Sequence, residues 1–62
     1  MTFLQRYLAH QALACEYLSA LGRPLSERNI VRVMERHNAQ ALQTLLRTHH
    51  AQSTAVILEH VG

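Results

Sequence analysis

The chain has no lysine, no aspartate and no tryptophan, and it has only one cysteine and one proline. A single cysteine forms no intramolecular disulfide and no cysteine-based zinc site, so Cys15 gives the fold no covalent or metal cross-link. A lone thiol is typical of a reducing compartment, and a cytoplasmic location is expected. Arg6, His10, Gln11 and Glu16 interrupt the apolar N-terminal segment. No apolar run therefore approaches the roughly 20 residues that span a bilayer, and no membrane partner is expected.

Motifs that would indicate catalysis are also missing from the sequence. It contains no HExxH metal motif, no glycine-rich phosphate loop, and no nucleophile and base at a recognisable spacing. His49 and His50 are adjacent, so on a helix their side chains point about 100° apart and do not easily share one metal ion. We therefore expect no enzyme activity, no cofactor, no metal and no small-molecule substrate.

The short length limits what a single copy of the chain can bury. With 62 residues, one small helical domain over residues 1–62 is expected. A chain of this length buries only about 60% of its unfolded surface. Domains below about 70–80 residues usually need disulfides, a metal, very good helix packing or a second copy to be stable. Because the first two are not available here, the sequence predicts a homodimer.

The charge balance is mildly basic. Six arginines against four glutamates give a formal net charge of +2 when the histidines are neutral. This is less than a dedicated nucleic-acid coating protein carries, but it is compatible with DNA or an acidic protein surface as the partner.

Apolar residues recur at helical spacing over residues 2–21 and predict a long first helix. The apolar arc covers nearly half of the circumference, which is wider than one neighbouring helix requires. One edge of the arc is therefore expected to meet a second subunit. For His10, a position at a seam between helices or subunits, with a hydrogen-bond partner, is expected. The residues predicted at the dimer interface are Leu4, Tyr7, Leu8, His10, Tyr17 and Leu18.

A second helix is predicted over residues 26–37. Gly22 suits the left-handed residue that closes a helix, and Pro24 prevents the first helix from continuing. Ser26 is placed to cap the new helix by accepting a hydrogen bond from a first-turn N–H. The residues that share the apolar face of this helix are Ile30, Val33, Met34 and His37, with Val31 at its margin.

A third helix is predicted over residues 39–48, with Ala41, Leu42, Leu45 and Leu46 pointing inward. If the second helix continued straight, these leucines would lie about 100° away from its apolar face. A tight turn at His37 and Asn38, with Asn38 as the new N-cap, restores a common core. One long helix from residue 26 to about residue 49 remains the alternative.

His49 and His50 are expected to end the third helix. The last segment, residues 52–61, combines a helical apolar stripe with several β-branched residues, which favour strands. A short helix capped by Ser53 is favoured over a strand, because one lone strand has nothing in its own subunit to pair with. The predicted fold class is therefore all-α. It is a small bundle of three to four helices, with a long first helix, two short helices joined by a tight turn, and a short C-terminal helix.

Three arginines mark the polar face of the second helix. Arg28, Arg32 and Arg36 lie at positions i, i+4 and i+8, opposite the apolar residues. Like charges at this spacing cost a helix roughly 0.2–0.5 kcal/mol per pair. Such a face suits an anionic partner, either DNA phosphate or an acidic protein surface. The alternative is an ordinary solvated face, because arginine is a good helix former.

The two short helices have the layout of a helix-turn-helix unit. In that unit the second helix enters the major groove of DNA and the first crosses the backbone. The outward face of the third predicted helix carries no acidic residue, and glutamine, threonine and arginine side chains are suited to contacts with base edges. The residues predicted to contact DNA, beside the three arginines, are Gln40, Gln43, Thr44 and Arg47.

The run Leu21-Gly22-Arg23-Pro24-Leu25-Ser26 resembles the segment that precedes the first helix of this unit in many bacterial winged-helix regulators. Those regulators usually carry a glycine after that helix, whereas this chain has Glu35-Arg36-His37-Asn38 there. No β-hairpin wing is predicted to follow. The resemblance implies DNA binding, but it identifies no family.

Two functions remain open, beside a weaker third possibility, a compact three-helix binding module formed by residues 26–61. The favoured one is a dimeric, helix-turn-helix-like transcriptional regulator that binds DNA. The alternative is a small protein-interaction module, an inhibitor or adaptor, which docks on a larger protein through apolar helix faces and does not bind DNA. The low net charge argues against DNA, and the acid-free face of the third predicted helix argues for it.

Overall fold

The computed structural model describes the backbone of residues 2–61 and the side chains of residues 2–53. It contains three helices, α1 (Phe3–Ala20), α2 (Glu27–Arg36) and α3 (Ala39–Val61). No strand occurs within residues 2–61, so the all-α prediction is confirmed. The molecule is elongated, with extents of 45 × 26 × 15 Å. Its long axis reflects α3, which has 23 residues and is therefore about 34 Å long. In this described part of the chain, no helix has both the length and the apolar character needed to cross a membrane.

Helix α1 begins with a capping box. The Thr2 hydroxyl oxygen accepts a hydrogen bond from the Gln5 N–H at 3.1 Å, and the Gln5 side-chain oxygen accepts one from the Thr2 N–H at 2.9 Å. Two backbone donors that the first turn leaves without intrahelical partners are thereby satisfied. The helix therefore starts one residue after the predicted position, at Phe3.

A Schellman motif closes α1. Gly22 has a φ of 69°, and its N–H donates to the Ser19 carbonyl at 3.0 Å. The Arg23 N–H donates to the Leu18 carbonyl at 2.9 Å. This pair of bonds satisfies two carbonyls at the end of the helix and reverses the chain. The predicted role of Gly22 is confirmed, and the backbone of Arg23 is held against the end of α1.

Helix α2 is capped as predicted. The Ser26 hydroxyl oxygen accepts a hydrogen bond from the Asn29 N–H at 3.1 Å. The Asn29 side-chain amide donates in turn to the Pro24 carbonyl at 3.0 Å, which ties the connecting loop to the helix. Glu27 in the first turn and Arg36 in the last complement the helix dipole.

Only His37 and Asn38 separate α2 from α3. His37 is extended, with φ −134° and ψ 130°, so the helix stops at Arg36. The Asn38 side-chain oxygen accepts a hydrogen bond from the Ala41 N–H at 2.8 Å and caps α3. The predicted tight turn is confirmed, and the alternative of one long helix is wrong.

Helix α3 continues through His49 and His50, so the end predicted at these residues is wrong. The physical reason is that no glycine or proline interrupts the sequence between Ala39 and Val61. Two adjacent histidines do not by themselves break a helix. The backbone of residues 52–61 is helical, as was favoured over a strand, and it continues α3 without a break. The side chains that would pack a separate fourth helix, those of residues 54–61, lie outside the described residues.

The core is small and is organised by α1. This helix packs against both α2 and α3, whereas α2 and α3 have few contacts with each other. The inward faces predicted for the second and third helices are confirmed, and Leu42 is fully buried at 0% exposure. Leu13, which the sequence analysis gave no role, packs on the edge of the core. Among the residues whose side chains the structure describes, the buried ones are Ala14, Leu18, Val33, Leu42 and Leu46.

We predict that Gly22→Ala destabilises the fold by about 1–2 kcal/mol, the cost of a left-handed conformation for an L-residue. No atom lies within 4 Å of the added Cβ, so the positive φ alone is responsible. Thermal denaturation followed by circular dichroism measures the loss. Gly22→Asn is the matched control and should lose less, because asparagine tolerates this conformation. Equal melting temperatures for wild type and Gly22→Ala would contradict the prediction.

Candidate functional site

The three arginines of α2 are all exposed, but they do not form one uniform surface. Arg28 and Arg32 lie beside Glu27 and Glu35 on one side of the helix. Arg32 also borders a cleft on the other side, and Arg36 lines that cleft. The positive charge is therefore partly offset around Arg28 and is concentrated towards Arg36.

We call this second region the arginine cleft. It has a volume of about 180 Å³ and lies between the end of α1 and α2. Arg23, Arg32 and Arg36 line it, and no carboxylate is among its lining residues. Arg23 was not among the residues predicted to contact a partner. The available signal was its position directly after the glycine that closes α1, which places it beside the start of α2.

The residues predicted to read bases lie along one exposed side of α3, opposite the buried Leu42. The Thr44 hydroxyl donates to the Gln40 carbonyl at 3.2 Å, so towards a partner it offers only its oxygen as an acceptor. Over residues 39–53 this helix carries no acidic side chain. The exposed residues in question are Gln40, Gln43, Thr44 and Arg47.

Two side chains of α1 hold the junction between α2 and α3. His10 Nε2 lies 2.7 Å from the His37 carbonyl oxygen. Because a carbonyl only accepts, Nε2 must carry the proton and donate. The Tyr17 ring meets the His37 ring edge to face, with centroids 5.8 Å apart. The tight turn is therefore attached to α1 at both its backbone and its side chain.

This attachment confirms the expectation that His10 lies at a seam between helices with a hydrogen-bond partner. His10 and Tyr17, predicted at a dimer interface, are half-buried against the junction within one chain. Leu18, also predicted there, is only 3% exposed and belongs to the chain's own core. An apolar arc on a helix shows which residues are buried, but it does not show whether the covering surface comes from the same chain.

The remaining predicted interface residues, Leu4, Tyr7 and Leu8, are exposed on the N-terminal half of α1. Phe3 beside them is 86% exposed. Tyr7 and Val31 line the same open groove between α1 and α2, which extends this surface onto the second helix. We call the whole patch the N-terminal apolar surface. It consists of Phe3, Leu4, Tyr7, Leu8, Leu25 and Val31.

The histidines and the cysteine form no further cluster in the part of the chain with described side chains. No three histidine, cysteine or glutamate side chains come together there in a way that could hold a metal ion. Cys15 is a half-buried free thiol. The rings of His49 and His50 contact each other edge to face, with centroids 5.9 Å apart.

No family model matches the sequence, and no curated protein or solved structure shows significant similarity to the chain.

We predict that His10→Phe destabilises the fold by about 1 kcal/mol, near the lower end of the cost of an unpaired acceptor, because the site is only half-buried. The ring volume is kept while the donor to the His37 carbonyl is lost. Urea denaturation measures the change in midpoint. A local readout is hydrogen exchange of the Leu42 N–H, which donates to the Asn38 carbonyl at 3.0 Å and should exchange faster. Gln43→Ala, at an exposed position, serves as the control. Unchanged midpoint and exchange would show that His10 does not stabilise the junction.

Proposed function

We propose that the chain is a small, helix-turn-helix-like DNA-binding regulator that acts as a dimer in the cytoplasm and catalyses no reaction. The observation that carries the proposal is the junction itself. His37 and Asn38 join two helices that α1 holds in place, and the second of these helices exposes an acid-free polar side. Helix-turn-helix proteins use this arrangement to place their second helix in the major groove.

In this proposal, α2 contacts the phosphate backbone and α3 contacts the bases. Arg32 and Arg36 are exposed and suited to phosphate, because a guanidinium group matches two phosphate oxygens at once. The N-terminus of α3, with its positive dipole end, follows directly after the junction. Gln43 is suited to adenine and Arg47 to guanine, through paired hydrogen bonds in the major groove. Phosphate contacts would set the position, and the contacts from α3 would set the sequence.

A dimer is supported by the N-terminal apolar surface and by the small core. Large apolar side chains such as Phe3 and Leu4 are exposed, while few residues within 2–53 are fully buried. A second copy that covers this surface would remove apolar area from water at roughly 25 cal/mol per Å². Helix-turn-helix dimers read two half-sites about one DNA turn apart, so a two-fold symmetric dimer also fits the proposed mode of binding.

The alternative is a protein-interaction module, an inhibitor or adaptor that does not bind DNA. The same N-terminal apolar surface favours it, since an exposed groove lined by Tyr7 and Val31 suits an apolar helix of a larger protein. The net charge of +2 is low for a DNA-binding protein, and this also favours the protein-interaction module. Direct binding measurements separate the two functions.

We predict that the arginines and the α3 side chains affect DNA binding differently. Arg28→Ala or Arg32→Ala should weaken binding about equally on all sequences and reduce the salt slope by roughly one. Gln43→Ala or Arg47→Ala should cost roughly 1–3 kcal/mol on a selected site and little on random DNA. Fluorescence anisotropy on random duplexes, and on a site selected from them, measures both effects.

Arg6→Ala is the charge-matched control for this experiment, because Arg6 is exposed on α1, outside α2 and α3. It should change binding less than Arg32→Ala. Absence of binding at roughly 50 mM salt and protein above about 100 µM, where non-specific binders still register, would reject DNA binding. The protein-interaction module would then be the remaining function.

We predict that the wild-type chain dimerises through the N-terminal apolar surface and that Leu8→Glu disrupts the dimer. Leu8 is exposed in the single chain, so a charge there is tolerated in the monomer but costly in a covered interface. Analytical ultracentrifugation at tens of micromolar, a range in which weak dimers form, measures the oligomeric state. Ser19→Glu, also exposed on α1 but outside this surface, is the control. A folded wild-type monomer at this concentration would contradict the prediction.

A further inference from the structure

The arginine cleft has a feature that the proposed DNA contacts do not require. Arg23, from the loop after α1, lines the same cleft as Arg32 and Arg36 of α2, and no carboxylate joins them there. None of the side-chain hydrogen bonds in the described part of the chain uses a guanidinium group. Three positive groups therefore border one small volume without an anionic neighbour in it, and an anion would relieve their mutual repulsion.

The backbone positions of these arginines are fixed by the fold. The Arg23 N–H donates to the Leu18 carbonyl at 2.9 Å, which holds the backbone of Arg23 at the end of α1. Arg32 and Arg36 are one helical turn apart on α2, and their side chains lie on the same stretch of its surface. The Asn29 amide, which donates to the Pro24 carbonyl, fixes the loop that carries Arg23. The cleft is therefore formed before any ligand binds.

The other walls of the cleft are aromatic and apolar. The rings of Tyr17 and His37 line it on one side, and Leu18 and Val33 line it deeper. Its volume of about 180 Å³ is enough for a phosphate group together with a small organic part. These walls enclose part of a bound ligand, which a flat surface patch of arginines would not do.

We propose that the arginine cleft binds a phosphate group, held by the guanidinium groups of Arg23, Arg32 and Arg36. Arginine suits this ligand because its planar fork donates two parallel hydrogen bonds to two phosphate oxygens. The phosphate has two possible sources, a free phosphorylated small molecule or a phosphodiester of bound DNA. The inference does not depend on DNA binding, since the first source needs none.

The test is a titration of the full chain with inorganic pyrophosphate at constant ionic strength. Backbone amide NMR measures the chemical shifts at each step. Saturable shifts are expected at residues 23, 32 and 36–37 below roughly 10 mM, the weak end of measurable affinity. Arg23→Gln and Arg36→Gln should each weaken binding by roughly tenfold, the loss of one charge-assisted hydrogen bond. Arg6→Gln is the charge-matched control and should change the affinity little. Circular dichroism verifies that each variant is folded.

A second arm uses a duplex of random sequence with the same variants. If pyrophosphate does not bind, but Arg23→Gln weakens duplex binding much more than Arg6→Gln does, the phosphate comes from the DNA backbone and the cleft is still its site. If pyrophosphate binds and the duplex does not, the cleft binds a small-molecule phosphate. The proposed DNA-binding function is then wrong, and the phosphate site stands. If neither ligand binds, or if Arg6→Gln weakens binding as much as Arg23→Gln, the proposed site is wrong.

Discussion

The hydrogen bond from His10 to the His37 carbonyl is the constraint on which the arrangement of the helices depends. It joins the middle of α1 to His37, the extended residue at which α2 ends. The ring contact between Tyr17 and His37 acts at the same place. Since α2 and α3 contact each other little, their relative direction is set by their packing on α1 together with this attachment. In the proposed function α2 contacts phosphates while α3 contacts bases, and this requires a fixed direction of α3 relative to α2.

Short-range chemistry explains why the helix boundaries were predictable. Gly22, Ser26 and Asn38 each act through a backbone bond or a backbone angle that involves residues at most five positions away. Capping interactions over so few positions can be predicted from the sequence, because particular residue types favour particular capping geometries. The exception was the end of the third helix. The adjacent histidines predicted a stop, yet the sequence between Ala39 and Val61 contains no glycine, no proline and no asparagine that would end the helix.

The specific contact partners of His10, Tyr17 and Arg23 were not predictable for a different reason. Each depends on residues far along the chain, such as the 27 positions that separate His10 from His37. Amphipathic spacing showed that one side of α1 is buried, but it did not distinguish burial by α2 and α3 from burial by a second copy. Arg23 was missed because its proximity to Arg36 exists only after α1 and α2 have packed. The exposed side of α3, by contrast, follows from periodicity alone, and the structure exposes Gln40, Gln43, Thr44 and Arg47.

The central position of α1 has a consequence for how the chain folds. Because α2 and α3 share few contacts, the two of them have almost no common interior once α1 is removed. A partly folded state that keeps only those helices would leave Val33 and Leu42 exposed to water and would not persist. Short helices of the length of α2 are marginal on their own, since helix formation is cooperative and its nucleation is costly. A subset of helices that lacks α1 is therefore not a stable intermediate in the folding of this chain.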